Sequence, residues 1–261
     1  MAVAPSAHRY PDFIIAGAPR AATTWLYTLA DRHPEIGMAK PVKPEPKFFL
    51  VDALFERGLD YYAATWFDTI EAGRILGEKS TNYLESPVAA ERIHRSLPQI
   101  RLVFMLRNPV ERAYSNYLWT RQNGLETESF ERALELEAER ERNLAPELRY
   151  ARPFSYFSRG LYAENLERFV RRFPPEQMLV LFQEEVALRP RLLAERFQRF
   201  VGADVMPDLA EGLGTINAAT PKGAPPMARE FQAQLARRYA EPNRRLQELL
   251  GMESLPWDWP A

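Results

Sequence analysis

The 261-residue sequence contains no cysteine. That absence excludes disulfides, thiolate nucleophiles and cysteine-ligated metals. Histidine is scarce too: His8, His33 and His94 are the only ones, too few for a multi-histidine metal centre, so no metal is expected. No apolar run approaches the roughly 18 residues that span a bilayer, and stable membrane insertion is not expected. The opening "MAVAPSAHRYPD" lacks the basic start and apolar centre of a signal peptide, which leads to the expectation of a cytoplasmic protein. Charge of one sign is also lacking. Thirty-four Lys and Arg face 35 Asp and Glu, for a net charge of −1, so no global field recruits nucleic acid. What is present is ordinary for a globular domain: 46% hydrophobic and 26% charged residues.

Strand-like and helix-like segments alternate along the chain. "FIIAG" at 13–17, "ILGEK" at 75–79, "RLVFML" at 101–106 and "MLVLF" at 178–182 are short apolar runs bounded by turn residues. Between them, "TTWLYTLADRH", "SPVAAERIHRSL", "VERAYSNYLWTRQ", "YAENLERFVRRF" and "RPRLLAERFQRFVG" have helical spacing. Thr23 or Thr24 is expected to cap the first of these. In the fourth, Leu161, Leu166, Phe169 and Val170 are expected to face inward. "PVKPEPKFFL" is too rich in proline for a helix and reads as an extended loop. The charged stretch around "ELEAERERN" reads as an exposed helix followed by a loop, and the C-terminal segment as helix, interruption, helix. The expectation is one α/β domain over 1–261, a P-loop-like three-layer fold with a central parallel β-sheet flanked by helices.

The segment "GAPRAATT" joins the first strand to the first helix. Backbone N–H groups at such a junction bind anions, and the helix dipole favours them. It is not a nucleotide-hydrolysing loop, which needs G-x-x-x-x-G-K-[ST]. Counting from Gly17, Ala22 stands for the second glycine and Thr23 for the lysine, while Arg20 brings the positive charge. A second cationic site is offered by Arg107, at the end of a strand, with Ser115 eight residues on. A third is Lys222 and Gly223 in "TPKG". Ligands of open α/β sheets bind outside the carboxyl ends of the strands. Three anion sites there suit a nucleotide phosphorylated at both ends, although each alone is compatible with a plain turn.

These segments resemble those of the sulfotransferases that use 3′-phosphoadenosine 5′-phosphosulfate (PAPS), and most nearly the carbohydrate and heparan-type branch with its bacterial relatives. "GAPRAATTWLYTLADRHPEI" is similar to the 5′-phosphosulfate loop, "PEPKFF" to the glutamate-bearing loop, "GEKSTNYL" to the EK[ST]xxY segment and "LRNPVERAYSNY" to the 3′-phosphate signature. "SRGLYAENLERF" and "LVLFQEEV" fit as well, and all stand in the family's order from about Phe13 to Gly223. Two departures are the Ala21-Ala22 pair where the family carries glycine, and Pro225-Pro226 after "KG".

The resemblance implies PAPS as co-substrate, with no metal. It implies cofactor contacts at Arg20, Ala21, Ala22, Thr23, Thr24, Trp25, Arg107, Ser115, Lys222 and Gly223. It implies Glu45 as the base, Arg20 as the cation on the leaving phosphate and Lys79 near the acceptor. Pro44 and Pro46 stiffen the backbone that presents Glu45; Lys79 also adjoins Glu78, which offers it an ordinary ion pair. Tyr162 is either an adenine neighbour or a core tyrosine, and His33 is expected to cap or pack at a helix end. The acceptor is a hydroxyl, less readily an amine, of a small molecule, lipid or sugar. Aromatic residues of the loops, Tyr61, Tyr62, Trp66, Trp119, Tyr150, Phe154, Tyr156 and Phe157, are candidates to line its cleft. Neither the acceptor's identity nor the oligomeric state is legible.

Two other readings stand beside this one. A P-loop kinase requires a lysine at position 23, where Thr23 stands, and a strand-end acid for Mg²⁺, which Glu184 or Glu185 could supply. A nucleotide-binding or regulatory protein that kept the fold without catalysis is suggested by the alanine pair.

Overall fold

A computed structural model of the chain describes residues 8–214 and 227–258. Five parallel strands form one sheet: β1 (Phe13–Gly17), β2 (Ile36–Met38), β3 (Ile75–Lys79), β4 (Arg101–Leu106) and β5 (Met178–Phe182), in the order β2-β3-β1-β4-β5. The continuous apolar strands β1 and β4 are central and buried almost throughout, as a sheet covered on both faces requires. Gly17, at the end of β1, is required by close approach: a Cβ there would lie 2.6 Å from Leu84 Cβ and 2.9 Å from the Thr81 carbonyl oxygen.

Helices connect and cover the strands: α1 (Thr23–Asp31), α2 (Asp52–Phe55), α3 (Gly58–Trp66), α4 (Pro87–Ser96), α5 (Pro109–Gln122), α6 (Phe130–Arg142), α7 (Tyr162–Val170), α8 (Gln183–Leu188), α9 (Pro190–Val201) and α10 (Arg229–Leu250). A second apolar cluster joins α5, α6 and α10 through Tyr117, Phe130, Tyr156, Leu235 and Tyr239. No helix among the described residues is long and apolar enough to cross a membrane. The expected α/β architecture with a central parallel sheet is the one found.

Several local expectations are corrected. The N-cap of α1 is Ala22, in left-handed conformation and with no side-chain cap, so neither Thr23 nor Thr24 caps it. The three-residue β2, unseen in "EIGMA", pairs with β3 at the sheet edge. Val170 is exposed, because it falls at the end of α7 beyond the packed stripe. The C-terminal helix runs unbroken through Pro242, held by Leu235, Tyr239 and Leu246 on one buried face. The "exposed" α6 carries a buried Glu137, whose carboxylate accepts the N–H groups of Tyr156 (3.0 Å), Phe157 (2.6 Å) and Ser158 (2.8 Å).

Candidate active site

A cleft of about 930 Å³ opens at the carboxyl edge of the sheet. Segments following all five strands line it: Pro19–Arg20 after β1, Lys43–Lys47 after β2, Lys79 and Thr81 at β3, Arg107 after β4 and Gln183 after β5. The order β3-β1-β4 places the topological switch at β1, where an open α/β sheet offers its crevice.

The loop after β1 is shaped by two non-glycine residues with positive φ, Arg20 at 70° and Ala22 at 57°. Left-handed backbone costs a residue with a Cβ about 1–2 kcal/mol. Ala22 pays it where a glycine would not, and Thr23 and Thr24 then begin α1 with first-turn N–H groups that lack helical partners. Ala22, Thr23, Thr24 and Trp25 all line the cleft. Ala21 does not: its side chain is wholly buried in the core. Lys222 and Gly223 lie outside the described residues; Gly214, the last described residue before them, lines the cleft.

Arg20 and Ser115 meet, Arg20 Nε donating to Ser115 Oγ at 3.3 Å. Burial, then the neighbouring charges of Arg107 and Arg112, pushes the Arg20 guanidinium down to about 10, so it stays charged at neutral pH. Arg107 donates to the Arg20 carbonyl at 3.4 Å and to Glu111 Oε2 at 2.8 Å. Asn108 starts α5 by accepting from Val110 N at 3.0 Å, with Pro109 in the first turn. That cap fixes the helix that carries Ser115. Tyr162 belongs to the core alternative: it is buried, it donates to the Arg107 carbonyl at 2.9 Å, and it is absent from the cleft lining.

Glu45 is no solvated loop carboxylate. Its side chain is 13% exposed; Lys79 pairs with Oε1, and Thr81 donates to Oε2 from its N–H at 3.2 Å. Glu78 is not the partner of Lys79, because consecutive strand residues point to opposite faces. Instead Glu78 is buried behind the sheet edge, accepts from Tyr62 at 2.8 Å, and is pushed up by desolvation to about 7. The Phe48-Phe49 pair anchors the Glu45 loop. Phe48 stacks on Tyr62 with centroids 4.5 Å apart, and the Phe49 N–H donates to Tyr83 Oη at 3.2 Å. The sequence thus turns an aromatic pair into a clamp that holds a carboxylate three residues upstream of Phe48.

The outer cleft is walled by Lys47, Val51, Leu54, Leu148, Tyr150 and Trp119. The Lys47 ammonium stands 4.7 Å from the Tyr150 ring centroid, and burial pushes its pKa down. Of the eight candidate aromatic residues, Trp119 and Tyr150 line the cleft; the other six lie in or against the core clusters. Sequence reasoning missed Arg159, which lines the cleft while bound to Glu85 at 2.7 Å and Asn116 Oδ1 at 3.1 Å. Its only local signal was its place in "SRGLYAENLERF". The kinase alternative loses its acids. Glu184 accepts the Asn108 N–H at 2.8 Å, Glu185 pairs with Arg196 at 2.8 Å, and neither lines the cleft. His33 packs as expected, Nε2 lying 2.9 Å from the Asp204 carbonyl oxygen.

Known proteins are similar to this chain. Human heparan sulfate glucosamine 3-O-sulfotransferase 6 is 32% identical over 202 residues, covering 77% of this chain and 55% of that protein. Human bifunctional heparan sulfate N-deacetylase/N-sulfotransferase 3 is 29% identical over 211 residues, 74% of this chain and 22% of that protein. The chain therefore spans about half, or less, of the length of these relatives. The crystal structure of a sulfotransferase from Alicyclobacillus acidocaldarius superposes with a TM-score of 0.79 at 27% identity, covering 96% of this chain and all of that one. Residues 10–215 match the sulfotransferase domain model, a span that holds every cleft segment described above, and the chain belongs to that family.

Proposed function

We propose that the protein transfers the sulfuryl group of PAPS to an acceptor hydroxyl, or less readily an amine, with Glu45 as base. The observation that carries this reading is the convergence in one cleft of Glu45 and Lys79 with the anion-binding set Arg20, Thr23, Thr24, Arg107 and Ser115. The loop after β1 and the start of α1 hold the 5′-phosphosulfate, and Arg107 with Ser115 holds the 3′-phosphate. These contacts need no Walker lysine, and no cluster of His, Asp and Glu among the described residues is arranged to take a metal ion.

In the reaction, the acceptor oxygen forms a bond to sulfur as the bond from sulfur to the 5′-phosphate oxygen breaks. The acceptor proton passes to Glu45, and 3′-phosphoadenosine 5′-phosphate (PAP) leaves. Arg20 stabilises the charge that gathers on the departing phosphate. Lys79 and Thr81 keep the Glu45 carboxylate aimed at the acceptor. The acceptor lies against the outer wall of Val51, Leu54, Leu148 and Tyr150. Its class stays open among sugars, lipids and small molecules, and the named relatives include both O- and N-sulfotransferases.

The test is incubation with PAPS and a panel of oligosaccharide, alkyl, aryl and amine acceptors. A product heavier by one SO₃, formed together with PAP and lost in Glu45→Gln, is the expected result. No SO₃ transfer to any class would leave the non-catalytic reading in its place.

A further inference from the structure

Arg112 lies on α5, one helical turn before Ser115, and its side chain is wholly buried. A guanidinium taken out of water is costly unless a carboxylate or several acceptors replace the lost hydration. Arg112 has one replacement, a bond from Nη2 to the Tyr156 carbonyl. Its Nε and Nη1 have no hydrogen-bond partner among the described residues. Arg159 makes the contrast: almost equally buried, it is bonded to Glu85, Asn116 and the Ala151 carbonyl.

Glu137, Glu111 and Glu85 are each engaged with other groups. Glu137 binds the N–H groups of Tyr156, Phe157 and Ser158. Glu111 binds Arg107, and Glu85 binds Arg159. The phenols of Tyr162 and Tyr239, which also feel its charge, are pushed up by burial and stay neutral. Its charge also reaches two other cations, Arg20 and Arg159. Arg20 and Arg107 stand at the Ser115 end of the cleft, Arg107 paired with Glu111, and Arg112 lies behind that end, one turn from Ser115 on the same helix with its charge reaching Arg20.

We propose that Arg112 is a positioning residue for the anionic end of the nucleotide. It is a buried cation left without a carboxylate partner among the described residues, and the ligand's phosphates balance its charge across the wall formed by Arg20 and Ser115. The inference rests on the nucleotide reading above. It implies a trade: the side chain destabilises the ligand-free fold and strengthens anion binding.

The experiment compares wild type, Arg112→Met and Arg112→Lys by calorimetric titration with PAP and by thermal melting of the ligand-free proteins. Arg112→Met should weaken PAP binding roughly ten-fold or more, as loss of a nearby buried charge requires. It should raise the KM for PAPS in parallel, leave the acceptor KM unchanged, and melt at a higher temperature than wild type. Arg112→Lys, which keeps the charge, should stay within about three-fold of wild-type affinity. An Arg112→Met protein that binds PAP as wild type does overturns the proposal. So does one that melts earlier or fails to fold, which would make Arg112 a structural prop, or a lysine variant as weak as the methionine variant. Wild type that does not bind PAP overturns the nucleotide reading itself, and is told apart because no variant is needed to see it.

Discussion

Lys79 and Glu45 form an ion pair on the floor of the cleft, their side chains 3% and 13% exposed, with Thr81 donating to the same carboxylate. A loop residue and a strand residue 34 positions apart are thereby locked in one geometry. Glu45→Gln keeps the shape and removes the proton acceptor. Turnover should fall by about 10²–10⁴-fold, the usual contribution of a positioned base. PAP affinity, measured by calorimetry, should stay within about two-fold of wild type, because the phosphate contacts lie elsewhere.

Arg107 pairs with Glu111 but remains in the cleft wall beside Arg20 and Ser115. Arg107→Ala should raise the KM for PAPS by roughly ten-fold or more, as loss of a charge-assisted phosphate contact does. The acceptor KM should hardly change. Steady-state kinetics with each substrate varied in turn checks this, and equal effects on both would remove Arg107 from the 3′-phosphate site.

Ala22 sits at φ 57° and ψ 22° in the loop before α1. Glycine adopts that conformation without steric cost. Ala22→Gly should therefore raise stability by about 0.5–1 kcal/mol in urea denaturation, net of glycine's larger unfolded-state entropy. PAP affinity should hold or improve. A loss of stability would mean that the packing of the Ala22 methyl outweighs the backbone strain.

Glu78 is wholly buried, and desolvation pushes it up to about 7 despite the Tyr62 and Tyr83 hydroxyls beside it. A carboxyl with a raised folded pKa binds more protons folded than unfolded between its two values. Its effect on stability is therefore absent below the unfolded value of about 4.5 and grows more unfavourable as pH rises to about 7. Glu78→Gln removes that effect while keeping an acceptor for Tyr62. The stability difference between variant and wild type should widen from pH 5 to pH 8 in the variant's favour, by up to roughly 3 kcal/mol. A difference that is flat across this range would contradict a buried neutral Glu78.

Much of the sheet was legible because buried parallel strands are continuous apolar runs, as in "FIIAG" and "RLVFML". β2 escaped because three residues centred on Gly37 carry no periodicity. The cleft residues stood out because each sits where a strand ends and the charge changes: Arg20, Lys79 and Arg107. Contacts between distant segments were not legible. Nothing local marks Glu137 of "ELEAERERN" as the buried acceptor of three amides, and nothing separates Arg112, left short of acceptors, from Arg159, fully paired. The unbroken α10 was missed for the same reason, since Pro242 argues for a break that tertiary packing overrides.

The most direct test of the account is calorimetric titration of the wild-type protein with PAP in the absence of metal, with ATP and Mg²⁺ as the comparison. Micromolar binding of PAP and none of ATP is the predicted result. Failure to bind PAP, or equal binding of ATP, would contradict the assignment of this cleft to a nucleotide phosphorylated at both ends.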